Sequence, residues 1–216
     1  MKETNTHNKG AVDMKALYLN TSLKKSNQES NTSALMKESR YWLENKGVTT
    51  EELRLADYQI AYGMESDMGE GDQWPEVFEK IKEANIVVIG TPIWLGEKSS
   101  IATLLMERLY ASSMEKNDKG QSIFYNKIGG AVVTGNEDGA KDSAKSLLYG
   151  LQHIGFTVPP NVDAYWVGEA GPGPSYIEEG RGNDFTNGKV KTLSYNLVHF
   201  AKLLVNHPIP GEGNTL

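Results

Sequence analysis

Asn85-Ile-Val-Val-Ile-Gly90 contains a continuous apolar, β-branched run, Ile86 to Ile89, closed by a glycine. A strand wetted on one face alternates apolar and polar residues. A run with no polar position is dry on both faces, as in the interior of a parallel sheet with helices above and below. Upstream, Asp72 to Ala84 has helical period, with Pro75 near its first turn and Val77, Ile81 and Ala84 in step. Before it, Glu52-Leu-Arg-Leu55 suits a less deeply buried strand. Asn31 to Lys46 reads as a helix with Leu35, Met36, Trp42 and Leu43 on one face and Gly47 as its stop, and Lys15 to Asn20 reads as a buried strand.

Downstream the rhythm repeats. Ser99 or Ser100 can cap a helix carrying Ile101, Leu104, Leu105 and Leu109. Ile128 to Val133 is a strand whose glycines indicate close backbone approach. Gly139 to His153 is a helix with Ala140, Ala144, Leu147, Leu148 and Leu151 in period, closed by Gly155. Asp163 to Val167 is the fifth strand, Gly168 to Gly188 a Gly/Pro-rich loop, and Val190 to Val205 a closing helix. Strict alternation with right-handed crossovers predicts a doubly wound α/β domain, a five-stranded parallel sheet in the order 2-1-3-4-5 with helices on both faces. We expect one domain over residues 14–208, preceded by a disordered extension, Met1 to Asp13, and followed by a tail, residues 209–216.

The chain of 216 residues contains no cysteine, which excludes disulfides, thiolate nucleophiles and cysteine-held zinc or iron–sulfur centres. A net charge of -6 argues against a nucleic-acid partner, and no apolar run reaches membrane-span length. The polar start lacks the apolar core of a signal peptide, so a cytoplasmic location is expected. There is no P-loop, no Gly-x-Gly-x-x-Gly after the first strand and no Gly-x-Ser-x-Gly elbow. Where a phospho-receiver needs paired acids, this chain has Asn20, Thr21 and Ser22. The four histidines show no ligand spacing, so no metal site is expected.

In such sheets ligands bind outside the carboxyl ends of the strands. Three loops therefore matter. In Thr21 to Thr32, the hydroxyls of Ser22, Ser30 and Thr32, the Asn31 amide and the charge of Lys24 or Lys25 lead into a helix start, which suits a phosphate. The same residues also fit a polar turn capped by Ser30. In Thr91 to Ser99, Pro92, Ile93, Trp94, Leu95 and Gly96 suit one side of a planar ring, although Trp94 also fits plain packing on a helix. In Thr134 to Gly139, Gly135 permits close approach to a ligand, and Asn136 or Asp138 can cap the next helix.

These three loops, Asn20-Thr-Ser-Leu with Ser30-Asn-Thr, Thr91-Pro-Ile-Trp-Leu-Gly and Thr134-Gly-Asn-Glu-Asp-Gly, resemble the flavodoxin-like NAD(P)H-dependent FMN reductase and quinone reductase superfamily. The tract Tyr165 to Tyr176 is similar to a subgroup known only as flavodoxin family proteins. The middle loop also resembles that of iron–sulfur flavoproteins, whose cysteines are missing here. The resemblance implies a flavodoxin-like fold and tightly bound FMN. Ser22, Lys24, Ser30, Asn31 and Thr32 would lie at its phosphate, Pro92, Ile93, Trp94, Leu95 and Gly96 on one side of its ring, and Thr134, Gly135, Asn136 and Gly139 on the other.

It further implies hydride transfer from NAD(P)H, a transient co-substrate, through the flavin to a quinone, free flavin or other small acceptor. The chemistry would belong to the cofactor, so no catalytic side chain is expected. Two alternatives stay open: a flavodoxin-type one-electron carrier, and a domain that has lost its flavin and binds a partner. The exposed aromatics near the site make a homo-oligomer, specifically a dimer, the expected assembly. The long loop after the fifth strand covers the flavin, reaches a neighbouring subunit, or is a surface excursion.

Overall fold

The computed structural model describes residues 13–216, so all of the expected N-terminal extension except Asp13 lies outside the described residues. Five parallel strands form the main sheet: β1 (Met14–Asn20), β2 (Val48–Arg54), β3 (Ile86–Trp94), β5 (Ile128–Gly135) and β6 (Asp163–Val167). Their spatial order is β2-β1-β3-β5-β6, the expected order with one addition, a two-residue strand β4 (Glu97–Lys98) that folds antiparallel onto the end of β3. The helices are α1 (Asn31–Glu44), α2 (Trp74–Glu83), α3 (Ser100–Ala111), α4 (Ala140–His153) and α5 (Asp184–Asn206).

β1 shows how the pleat builds two cores. Ala16 and Tyr18 point to one face, where they meet Leu35, Met36 and Leu43 of α1 and Val190, Leu193 and Leu197 of α5. Leu17 and Leu19 point to the other, among Trp74, Val77 and Ile81 of α2, Leu105 of α3 and Leu147 of α4. Each fully buried aliphatic side chain contributes roughly 1.5–3 kcal/mol relative to exposure. On the first face the Tyr18 hydroxyl meets Ser39 Oγ at 2.8 Å, and Ser39 Oγ meets Ser194 Oγ at 2.9 Å. That chain joins β1, α1 and α5 and satisfies three buried hydroxyls.

Several boundaries differ from the sequence reading. β2 begins at Val48, not Glu52; as the edge strand it is half-solvated, and its polar residues hide the strand pattern. α2 begins at Trp74, not Asp72, because the Asp72 carboxylate accepts from the Trp74 N–H ahead of the first turn. α5 begins at Asp184, six residues before Val190, because the Asn183 side chain caps it by accepting from Thr186 N at 2.9 Å. β3 runs on to Trp94, so Thr91 to Trp94 is strand rather than loop. Gly90 O, accepting from Thr21 N at 2.8 Å, faces β1. Two residues on, Pro92 faces the same side, where β1 has already ended at Asn20, so its missing N–H loses no ladder partner. Residues 209–216, expected as a tail, lie along segment 116–126: Gln121 Nε2 donates to Ile209 O and Pro210 O, and Leu216 N to Gly120 O.

The segment from Tyr58 to Gln73 contains neither helix nor strand. It is organised by a fully buried ion pair, Arg108 Nη2 to Asp72 Oδ2 at 2.9 Å. Arg108 also donates to Ala61 O at 2.8 Å, and Asp72 accepts from the N–H groups of Ala61, Met68 and Trp74, each at 3.1 Å. Burial opposes ionisation of Asp72, but those three N–H groups and the guanidinium outweigh it and hold the carboxyl below its usual range.

Candidate functional site

A cleft of about 500 Å³ opens at the carboxyl ends of β1, β3, β5 and β6, within the size range of small-molecule sites. At one end stands the start of α1. Ser30 is its N-cap, with Oγ accepting from Ser33 N at 3.2 Å, which leaves the N–H groups of Asn31 and Thr32 without intrahelical partners. The helix reaches this position because Gly90 of β3 has no side chain: a Cβ there would lie 2.8 Å from Thr32 Cγ2. Ser22, Lys24, Ser30, Asn31 and Thr32 all line this end. Hydroxyls, a lysine and a helix N-terminus form a donor set suited to a phosphate dianion.

The loop ahead of α1 is held from outside by the side chains of β2. Arg54 donates to Lys24 O at 3.0 Å and Lys25 O at 3.2 Å. Glu52 accepts from Asn20 Nδ2 at 2.8 Å and from Ser33 Oγ at 3.1 Å, and also pairs with Arg40 at 3.5 Å. The hydroxyl and N–H of Ser26 bind Asp57 and hold its carboxyl below the usual range. The loop's own polar groups turn inward: Asn20 Oδ1 accepts from Ser22 N, and Thr21 Oγ1 donates to Gly90 O.

The rest of the wall is lined by Pro92, Ile93 and Trp94 of β3, by Thr134, Gly135, Asn136 and Glu137 at and after the end of β5, and by Trp166 of β6. Trp94 is 53% exposed at the mouth, whereas Trp166 is buried. Leu95 and Gly96 form the tight turn between β3 and β4, at φ 53° and 80°. Gly139, at φ 120°, abuts that turn so closely that a Cβ would sit 2.2 Å from Gly96 O. Residues 168–183 form a strap across the cleft. Ile177 N donates to Asn31 Oδ1 at 3.1 Å, and Asn136 Nδ2 donates to Pro174 O at 2.9 Å.

The structure therefore brings eleven of the fourteen expected residues to the cleft wall; Gly96 and Gly139 pack on each other outside it, and Leu95 lies exposed on the same turn. Two pairs are engaged differently from the expectation. The Thr32 and Thr134 hydroxyls bond to each other at 2.9 Å, and the side chains of Asn31 and Asn136 are occupied by the strap. Leu23, Glu137, Trp166, Gly171 and Gly173 also line the cleft; Glu137 falls in the expected Thr134 to Gly139 loop and the two glycines in the long loop after the fifth strand, but none of the five is singled out by the sequence reading. Trp166 carried a readable signal, an aromatic near the carboxyl end of a strand. Among the described residues, no cluster of three or more His, Cys, Asp or Glu can hold a metal, and no helix is long and apolar enough to cross a membrane.

The parallel sheet thus carries at its carboxyl end a helix start with free N–H groups and a cleft lined in part by Trp94 and Trp166. The model of the NADPH-dependent FMN reductase family matches residues 14–170, and the chain belongs to that family. It is 38% identical over 205 residues to the 8-demethyl-8-aminoriboflavin-5'-phosphate synthase of Streptomyces davaonensis, covering 90% of this chain and 80% of that protein. The crystal structure of RosB with the bound intermediate 8-demethyl-8-formylriboflavin-5'-phosphate superposes with a TM-score of 0.82 at 39% identity, covering 91% of this chain and 82% of that one. The chain is also 44% identical over 198 residues to the divalent metal cation transporter MntH of Mycobacterium bovis, where it covers 88% of itself but spans only 29% of that protein. A flavodoxin from the domain Archaea, at 17% identity, 88% coverage of this chain, 99% of that one and a TM-score of 0.56, shares the fold.

Proposed function

We propose that this protein binds FMN in the cleft and passes hydride from NADH or NADPH to a small acceptor such as a quinone or free flavin. The observation that carries the reading is the presence in one cleft of an anion-suited helix start and of Pro92, Trp94 and Trp166, on a chain of the FMN reductase family. When bound, FMN supplies the hydride-accepting and hydride-donating chemistry. Ser22, Ser30 and Lys24, with the free N–H groups of α1, bind its phosphate; Pro92, Ile93, Trp94 and Trp166 shelter its ring from water. Lys24 and Glu137 are the titratable side chains on the described cleft wall, so protein acid–base chemistry has little material there. In this reading the protein works in the cytoplasm as a homodimer, with Trp94 and Leu95 at a mouth open to substrate or to a second copy.

Anaerobic titration with NADH and NADPH tests the proposal: either nicotinamide bleaches the flavin absorption, and the released cofactor has the mass of FMN. Failure of both nicotinamides favours the one-electron carrier, and recovery of FAD overturns the cofactor assignment.

A second reading follows from the synthase relative, whose name and bound intermediate both concern riboflavin-5'-phosphate altered at position 8. In that reading FMN is a substrate in the same cleft. Mass spectrometry of the flavin after aerobic incubation with an amino donor separates the two: unchanged FMN supports the reductase, and an altered mass supports the flavin-modifying enzyme.

A further inference from the structure

Two neighbouring residues of the β5–α4 loop send their side chains to opposite walls of the cleft. Asn136 Nδ2 donates to Pro174 O at 2.9 Å, with Gly173 O and Glu169 O each 3.4 Å away, all on the strap. Glu137 Oε1 accepts from Leu95 N at 3.0 Å, in the β3–β4 turn that carries Trp94. Both residues also line the cleft between those walls. Each wall is anchored at its root, the strap by the buried Tyr176 ring against Trp166 and the turn by the β3–β4 pairing of Ile93 with Lys98 and Trp94 with Glu97, so the two side chains act on the parts beyond those anchors. Leu95 is 93% exposed and sits in the left-handed region, a conformation that costs a non-glycine residue about 1 kcal/mol. The strap contains only one short helical turn, Gly180–Gly182; on its opposite side Ile177 N bonds Asn31, next to the Tyr176 ring buried against Trp166.

Gly168 leaves room for the amide of Asn136, since a Cβ there would lie 2.7 Å from Nδ2. On the other side, Gly139 lets the same loop press against the turn at Gly96. The loop is thus built to approach both walls.

We propose that Asn136 and Glu137 are paired positioning residues that set the distance between the strap and the Trp94 turn, and so fix which planar groups the cleft admits. Their effect on flavin rests on the FMN reading above; their effect on the walls does not. Glu137 acts here through the acceptor oxygen of its side chain rather than through its charge, and a glutamine at the same place can accept the same bond.

Amide hydrogen exchange on the purified protein tests this without requiring activity. In Glu137→Ala the Leu95 amide should exchange about tenfold faster, the factor that one lost hydrogen bond of ordinary strength represents. Glu137→Gln should restore the wild-type rate. In Asn136→Ala the strap amides, Ile177 included, should exchange faster while those of β3 stay protected, which separates a loosened wall from a failed fold. FMN should leave both alanine variants faster than wild type, with the acceptor KM raised more than kcat is lowered. If Glu137→Gln behaves like Glu137→Ala, the charge and not the bond matters; if Asn136→Ala leaves strap exchange unchanged, the strap is held by something else. Either result overturns the proposal. Wild type that binds no FMN but shows these exchange changes would sink the functional reading and leave the clamp standing.

Discussion

The loop before α1 and the strap after β6 border the same cleft, yet they are held in opposite ways. The first is fixed from behind by charged side chains of β2: Arg54 on the carbonyls of residues 24 and 25, and Glu52 on Asn20 and Ser33. The second has no charged brace: besides the buried Tyr176 ring on Trp166, it is held across the cleft by two asparagines, one at each side, each bonding to backbone. A helix start that binds a phosphate must not move, because its N–H groups work only when aimed together. A wall over a planar ring has to admit and release what stacks there, and few, neutral hydrogen bonds permit that.

If that contrast is right, damage to the β2 brace should cost more than damage to the strap. Glu52→Ala leaves Arg54 and Arg40 without their carboxylate in a largely buried place, and should lower stability by about 3 kcal/mol. Urea unfolding measures it, and a loss as small as that of a strap variant would erase the distinction. Ser22→Ala should weaken FMN binding by about 2 kcal/mol, the worth of a hydrogen bond to a charged phosphate, and shift the unfolding midpoint little, since the hydroxyl's bond within the protein is a long one, 3.3 Å from Lys24 N. Fluorescence titration with FMN reads this directly. Thr32→Ala should instead cost about 1 kcal/mol of stability, because it strands the buried Thr134 hydroxyl.

The smallest effect, and one of opposite sign, is expected in the strap. Tyr176 is fully buried and its hydroxyl has no partner among the described residues. Tyr176→Phe should be neutral or stabilise by up to about 1 kcal/mol. Burial pushes this hydroxyl from 10.0 up to about 12. The native protein therefore keeps a proton that the unfolded chain loses, so the contribution is complete below pH 10.0 and disappears as the pH climbs towards 12. Unfolding of wild type should weaken across that window more than unfolding of Tyr176→Phe; parallel curves would show that the hydroxyl is solvated.

These differences also explain what could be read before the structure. Ile86 to Ile89 announces an interior strand because apolar residues fill both faces, and alternation with handedness narrows the strand order to a few topologies. The three loops were readable as a site because a parallel sheet puts them at one end. The roles inside the site were less so. An asparagine that donates to a backbone carbonyl across the cleft, as Asn136 does, looks in sequence like one that caps a helix or touches a ligand. Glu137 bonds to Leu95, forty-two residues away, and nothing local records that. Val48 to Glu51 does not read as strand because three of its four residues are polar, as an edge position tolerates: Thr50 accepts from Arg40 and Glu51 from Lys80. The start of α5 was missed because Asn183 and Asp184 follow a Gly-rich tract that reads as loop.

The buried pair of Arg108 and Asp72 serves the segment from Tyr58 to Gln73 in place of a ladder, since between them they bond its backbone at Ala61 and Met68. That has a consequence for heating. Hydration of charged groups becomes less favourable as temperature rises, whereas apolar burial gains little more, so an ion pair already out of water grows in relative worth. A segment without helix or strand would ordinarily be among the first to loosen in a warming protein. Here it should outlast the strap, and the order in which the two yield to a protease on warming is set by one guanidinium and one carboxylate.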